Sequence, residues 1–250
     1  MIDNIDITKV LFLDIETVSG EKSFEDLSDT FKDLWAIKCK AILRQFDEPI
    51  PAEQVAALYP EKAGIFAEFG KIVCISVGLV YRDPETRELG VRLKSFASDD
   101  EAELLKDFAK VVEQYYNNIN THFMCGHNMK EFDMPFISRR MVVNQLPMPT
   151  AVNVTGKKPW ETKNFIDTMT LWKFGDFKAY TSLKLLMGLF DLPSPKDDID
   201  GSEVGRVYWE ERDLDRIARY CEKDVLAVVQ LLLKYMRMAP LEEKQIVLVD

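Results

Sequence analysis

Two carboxylates, Asp14 and Glu16, close the apolar run "VLFLDIET". Alternate residues of a strand point to one side, so the two acids share a face, with Ile15 opposite. Paired anions at the end of a buried strand repel each other and resist desolvation unless a cation lies between them. The plain alternative is that both reach solvent at a strand end. A second candidate is Asp133, in "GHNMKEFDMPFI" at 126–137, where Asn128 precedes a helix start marked by Pro135. An acid in a first helical turn is also ordinary helix-start chemistry. Third, Tyr220 and Asp224 of "RYCEKDVLAVV" fall on one face of a helix. That face also carries Ile217 and Val228, so Asp224 points towards packing, where a carboxylate is costly unless paired or metal-bound. A local Tyr220–Asp224 hydrogen bond is the alternative there. All these acids offer oxygen ligands, which suit hard divalent cations such as Mg²⁺ or Mn²⁺.

The elements that must position these groups are legible in part. The first strand is expected over 9–17. From 22 to about 68 the pattern is helical and interrupted by the turn-rich "RQFDEPIP", which reads as a helical insertion. "KIVCISVGLVY" (71–81) and "VRLKSFAS" (91–98) read as two strands of a hairpin. A helix opening on capping acids follows at about 100, with Leu104, Leu105, Phe108, Val111, Val112 and Tyr115 at helical spacing. "HFMCGHN" (122–128) is a short strand into a loop. "MPFISRRMVVNQL" reads as helix, "NFIDTMTLW" (164–172) as a strand-to-helix entry, and "SLKLLMGLFDL" as a helix ending near Gly188. A long amphipathic helix spans 212–238. The fold class expected is α/β: a mixed central sheet with helices on both faces, an early antiparallel meander, and a later strand returning by a helical crossover.

The chain has 250 residues, with 47% hydrophobic and 30% charged, a globular balance with material for a sizeable core. It is expected to form one domain over 1–250. No run of apolar residues is long enough to span a bilayer, and the acidic start lacks the pattern of a secretion signal, so a cytoplasmic location is expected. Cys39, Cys74, Cys125 and Cys221 form no zinc-type pair and read as reduced thiols, three of them small core residues. A net charge of −10 argues against broad non-specific binding to nucleic acid, though not against a local basic groove.

An Asp-x-Glu strand, an Asn-x4-Asp helix start and a Tyr-x3-Asp helix, in that order, resemble the DEDD superfamily of 3′–5′ exonucleases in its tyrosine branch. "FLDIET", "HNMKEFDMPFI" and "YCEKDV" are most similar to the proofreading domain of B-family DNA polymerases, and to stand-alone bacterial predicted exonucleases related to it. "FGKIVCISVG" and "SLKLLMGLFDLPSPKDDIDGSEV" share that look, and the resemblance covers residues 10 to about 232. In the other branch a histidine stands five residues before the last acid. That position is Arg219 here, and His127 is not that histidine but reads as a loop hydrogen-bonding residue. The chain ends soon after the third motif, so no polymerase is expected to follow.

The resemblance implies a ribonuclease-H-like fold and metal-dependent hydrolysis that releases nucleoside 5′-monophosphates from the free 3′ end of single-stranded DNA. It implies that Asp14 bridges two divalent cations, that Glu16 and Asp224 complete one site, and that Asp133 holds the other. Tyr220 would orient the attacking water, its ordinary pKa of about 10 making it a poor general base. Thr17, Val18, Asn128 and Phe132 are candidates for holding the terminal nucleotide, Phe132 equally a core residue. Lys157, Lys158, Lys163 and Lys184 could meet phosphates, although scattered lysines are usually a solvated surface. Only "GKKPW" (156–160) combines charge with an aromatic in a loop. Asp167 reads chiefly as a helix cap. Two alternatives are an RNA-trimming enzyme and a non-catalytic nucleic-acid-binding module on the same fold.

Overall fold

The computed structural model describes residues 5–176, 178, 180–193 and 199–249. Residues 194–198, part of one segment that carries the resemblance, lie outside the described residues. The central strand β1 (Val10–Ser19) is apolar on both sides because both sides are covered. Leu11, Leu13 and Ile15 pack into one cluster with Leu105, Phe108 and Phe136, whereas Val10 and Phe12 pack into another with Val225 and Val229. This parity assigns Asp14 and Glu16 to the second face, as strand geometry requires.

Strand β2 (Gly70–Arg82) runs antiparallel to β1 and β3 (Leu89–Ala97) antiparallel to β2, forming the expected meander. The β1–β2 register slips between Glu16 and Thr17. Helix α3 (Glu101–Val111), capped by the Asp100 carboxylate, continues into a wide turn at Val112–Tyr116 and returns the chain to β4 (Phe123–Gly126). Strand β4 lies parallel to β1, and β5 (Phe165–Asp167) parallel to β4. The six-stranded sheet has the order β5-β4-β1-β2-β3-β6. Its last member, β6 (Ile246–Leu248), pairs parallel to β3 and was not foreseen, since three residues with a half-exposed side carry no periodicity.

Helix α4 (Asp133–Val143) packs on the first face and α5 (Thr168–Lys173) follows β5 directly. Helix α6 (Leu183–Leu189) leads to the short α7 (Val204–Arg206), which widens into a π-type turn at Val207–Glu211. The long helix α8 (Leu214–Tyr235) covers the second face. It approaches β2 closely at Gly78, where a Cβ would stand 2.9 Å from Val225 Cγ1.

The segment 22–68, expected as a helical insertion, holds α1 (Asp29–Leu43) and α2 (Ala52–Lys62). They share a core of their own built on Trp35, Cys39, Val55 and Tyr59. The Trp35 indole N–H donates to the Val55 carbonyl at 3.0 Å. No helix among the described residues is long and apolar enough to cross a membrane.

Candidate active site

The three motifs meet around the middle of β1, which runs on to Ser19 past the two acids expected at a strand end. Asp133 opens α4, and its carboxylate accepts hydrogen bonds from its own backbone N–H and from that of Ile15. The first helical turn is therefore held against β1 at Ile15. From the other side α8 presents Tyr220, Cys221 and Asp224. Among the described residues, Asp14, Glu16 and Cys221 each offer a ligand atom within 4.8 Å of the others.

The electrostatics follow from this crowding. Burial, then Asp133, Asp224 and Glu16, hold the Asp14 carboxyl well above the usual range. Burial and then Asp224 do the same for Glu16. Asp133 is pushed up to about 7, chiefly by burial and also by Asp167, against the pull of its two backbone donors. Four carboxyls thus lie within electrostatic reach of one another in a poorly solvated place. That donor set fits hard divalent cations, which relieve both repulsion and desolvation.

The Tyr220 hydroxyl hydrogen-bonds Asp224, and burial, then Asp224 and Glu16, raise it far above the ordinary phenol range. The local bond and the inward-facing site coexist: the pair is bonded and faces the acids. Tyr220 is therefore a donor and not a base. Cys221 is the neighbour that motif reading passed over. Its thiol lies 3.4 Å from the Asp14 carbonyl and 3.7 Å from Asp14 Oδ2. The signal was available, because Cys221 follows Tyr220 directly and sits a turn before Asp224. All four cysteines are buried and free of disulfides, and the Cys221 thiol also hydrogen-bonds that of Cys74.

The second-motif loop is held by Asp167. Its carboxylate accepts from the Asn128 and Lys130 amides at 3.2 and 3.0 Å and caps α5 through the Met169 and Thr170 amides. The expected cap is present, and the same group also anchors the loop. Asn128 adopts φ 65°, a left-handed conformation that Asn tolerates better than most residues. Its Oδ1 is buried without a hydrogen-bond partner. His127 is braced as a loop residue: Nε2–H donates to the Thr181 carbonyl at 2.9 Å and Nδ1 accepts from the Thr168 hydroxyl at 2.9 Å. Burial lowers its pKa, consistent with a neutral ring.

A cleft of about 470 Å³ opens at Glu16. Thr17 and Val18 form its floor, Phe132 one wall, and Pro60, Gly64 and Ile65 from the insertion the other. Val18 is fully buried and also packs into the core beside Val73 and Tyr208. Phe132 does both things weighed for it, lining the cleft and packing at 5.5 Å against Phe136. Gly201 comes close to the Tyr220 hydroxyl, 3.9 Å from where its Cβ would be. Lys163 and Lys184 are exposed and do not line this cleft.

A mixed six-stranded sheet between two helical layers, with acids on its central strand, defines a ribonuclease-H-like α/β protein. The fold matches that of the family B DNA polymerase from the hyperthermophilic archaeon Pyrobaculum calidifontis with a TM-score of 0.56. The match covers 91% of this chain at 14% identity, so the likeness speaks to the fold alone, and it spans 24% of the polymerase. A search of curated proteins finds no match. At the sequence level, residues 65–246 match the family described as predicted 3′–5′ exonucleases related to the exonuclease domain of PolB. The chain belongs to that family. The matched stretch contains Asp133, Tyr220 and Asp224; Asp14 and Glu16 precede it.

Proposed function

We propose that this chain is a metal-dependent 3′–5′ exonuclease of the tyrosine branch, removing nucleoside 5′-monophosphates from the 3′ end of single-stranded DNA. The observation that carries the reading is the crowding of Asp14 and Glu16 on β1 by Asp133 of α4 and Asp224 of α8 in a buried place. Asp14, Glu16, Asp133 and Asp224 would hold two divalent cations, Mg²⁺ or Mn²⁺. When bound, such ions supply a water of lowered pKa and a counter-charge for the departing oxygen.

The protein's own groups do the rest. Tyr220, protonated and donating its one O–H to Asp224, accepts a hydrogen bond from the attacking water at its phenol oxygen and so orients it. The backbone amides of Asp133 and Ile15 hold the Asp133 carboxylate against β1, which fixes the spacing of the acids before substrate arrives. Phe132 and the floor at Thr17 and Val18 exclude water from one side of the terminal nucleotide. Asn128 lies outside the cleft lining with its Oδ1 buried, so its part is to hold the second-motif loop through its amide on Asp167 rather than to meet the nucleotide. Phe132 in the cleft lining offers a ring face to an unpaired terminal base, which a base held in a duplex could not meet.

The test uses single strands labelled at either end, with Mg²⁺ or Mn²⁺, and matched DNA and RNA sequences. Stepwise loss from the 3′ end, with DNA preferred, is expected. Asp14→Asn should lower kcat/KM by more than about a hundredfold. Loss from the 5′ end, or an Asp14→Asn variant as active as the parent, would overturn the assignment. A strong RNA preference would move the substrate and leave the chemistry in place.

A further inference from the structure

A second cavity, of about 530 Å³, lies across the second-motif loop from the cleft just described. The loop is a shared wall. Phe132 faces the cleft, whereas Lys130, Glu131, Met134 and Pro135 line the cavity. Its other side is built by Lys157 and Lys158 of the "GKKPW" loop and by Lys173 at the end of α5. The acids present are Asp176 and Glu131, the latter 4.0 Å from Lys173 and largely exposed. Positive charge is therefore in excess here, in a chain whose net charge is −10. The cleft at Glu16 has the opposite balance, with Lys22 and Arg206 against Glu16, Glu61 and Glu210.

Two exposed aromatics stand beside these lysines. Trp160 is 66% exposed, with the Lys158 ammonium 5.2 Å above its ring. Phe174, next to Lys173, is 91% exposed and held at φ 44°, a region unfavourable for a bulky residue. An apolar ring placed almost wholly in water on a strained backbone has a use if something stacks on it. Lysines that meet phosphates, interleaved with rings that meet bases, are what an unpaired strand requires. A duplex keeps its bases stacked on each other and leaves such rings without partners.

We propose that this cavity is a second subsite for single-stranded nucleic acid. The strand whose 3′ end enters the cleft at Glu16 crosses the second-motif loop. Its upstream phosphates lie against Lys130, Lys157, Lys158 and Lys173, and its bases stack on Trp160 and Phe174. The Asp167 anchor on the Asn128 and Lys130 amides keeps the two subsites at a fixed spacing. This inference rests on the exonuclease reading above and extends it to the substrate's path.

The experiment measures binding and hydrolysis separately. Binding is followed by fluorescence anisotropy of labelled single strands from two to about 15 nucleotides, with Ca²⁺ replacing the catalytic ion, at about 50 to 200 mM salt. The variants are K157A/K158A, its control K157R/K158R, and W160A/F174A, each checked for parental folding by circular dichroism. K157A/K158A should weaken binding of the longest strand about tenfold and lower the slope of log affinity against log salt by about 1.4, that is about 0.7 per lysine. K157R/K158R should restore both. W160A/F174A should weaken binding by about tenfold or more and leave the slope unchanged. In hydrolysis the same variants should raise KM for long strands with little change in kcat, and shortening the strand to a dinucleotide should erase the difference. Variants that bind long strands like the parent, or that lose equally on the dinucleotide, would overturn the subsite. If the parent hydrolyses nothing yet binds through these residues, the activity fails and the subsite stands. If hydrolysis proceeds and binding ignores the substitutions, the reverse holds.

Discussion

Asp133, pushed up to about 7 by burial, is protonated in the folded, metal-free protein at pH values where the unfolded chain has lost that proton. The folded state then binds more protons than the unfolded state between about pH 4 and 7, and stability falls as pH rises through that window. Asp14 and Glu16, raised for the same reason, act in the same direction. A divalent cation displaces these protons, so its stabilisation grows with pH. The melting temperature of the metal-free protein should therefore decline from pH 5 to pH 8, and Mn²⁺ should raise it more at pH 8 than at pH 6. A larger gain at the lower pH would mean that these carboxyls are not the ligands. Tyr220→Phe removes a hydroxyl that donates to Asp224 while preserving the ring. It should lower kcat about tenfold or more, the worth of a hydrogen bond to a charged group, with KM nearly unchanged. Single-turnover kinetics would separate this from slow product release. At this scale the sequence was informative about the acids, because carboxylates in apolar surroundings need a reason. Cys221 stands between Tyr220 and Asp224 in the sequence, but a cysteine in an apolar helix face is usually packing material and is easily passed over.

Helix α4 delivers Asp133, and its position depends on a clamp at its other end. Glu101, 7% exposed, accepts from Arg140 at 2.6–3.1 Å, from Asn144 at 2.8 Å and from the Ile72 amide at 2.7 Å, which joins α3, α4 and β2. Arg140 also donates to the Ala67 carbonyl. Arg140→Ala leaves a buried carboxylate short of its counter-charge and should cost about 3 kcal/mol of unfolding free energy, read by denaturant titration. A loss below about 1 kcal/mol would show that water replaces the guanidinium there. Gly78→Ala probes the other helix. The added methyl would press on Val225, shift α8, and cost about 1–3 kcal/mol, with a loss of activity through Tyr220 and Asp224. Elements with clear periodicity were readable: β1, β2 and β3 by their apolar runs, α3 and α8 by their spacing. The helical turns at 204–211 were not, because "VGRVYWEE" mixes β-branched, aromatic and charged residues without a face. Strand β6 was invisible because its pairing comes from β3, a partner distant in sequence.

Across the molecule, the cores are not equivalent. Three clusters share the sheet, whereas α1 and α2 enclose a smaller one around Trp35 and Tyr59. Native-state hydrogen exchange should show the amides of 29–62 opening at lower free energy than those of β1 and β2, as a separate cooperative unit. Uniform protection would contradict that view. Since this unit supplies Pro60 and Glu61 to the cleft, its opening would widen the entrance without disturbing the acids. The sequence marked 22–68 as an insertion, but nothing local in it reveals which strand end it leans over. The meeting of the three motifs was legible only through strand parity and resemblance; the distances came from the packed sheet.

The parallel run of β1, β4 and β5 brings the motifs to one end of the sheet, while the β2–β3 turn at 83–88 lies at the other. All four native thiols are buried. Replacing exposed Glu85 by cysteine would thus create one reactive handle, through which the protein could be tethered to a glass surface with its entrance facing the solution, ready for watching individual strands shorten.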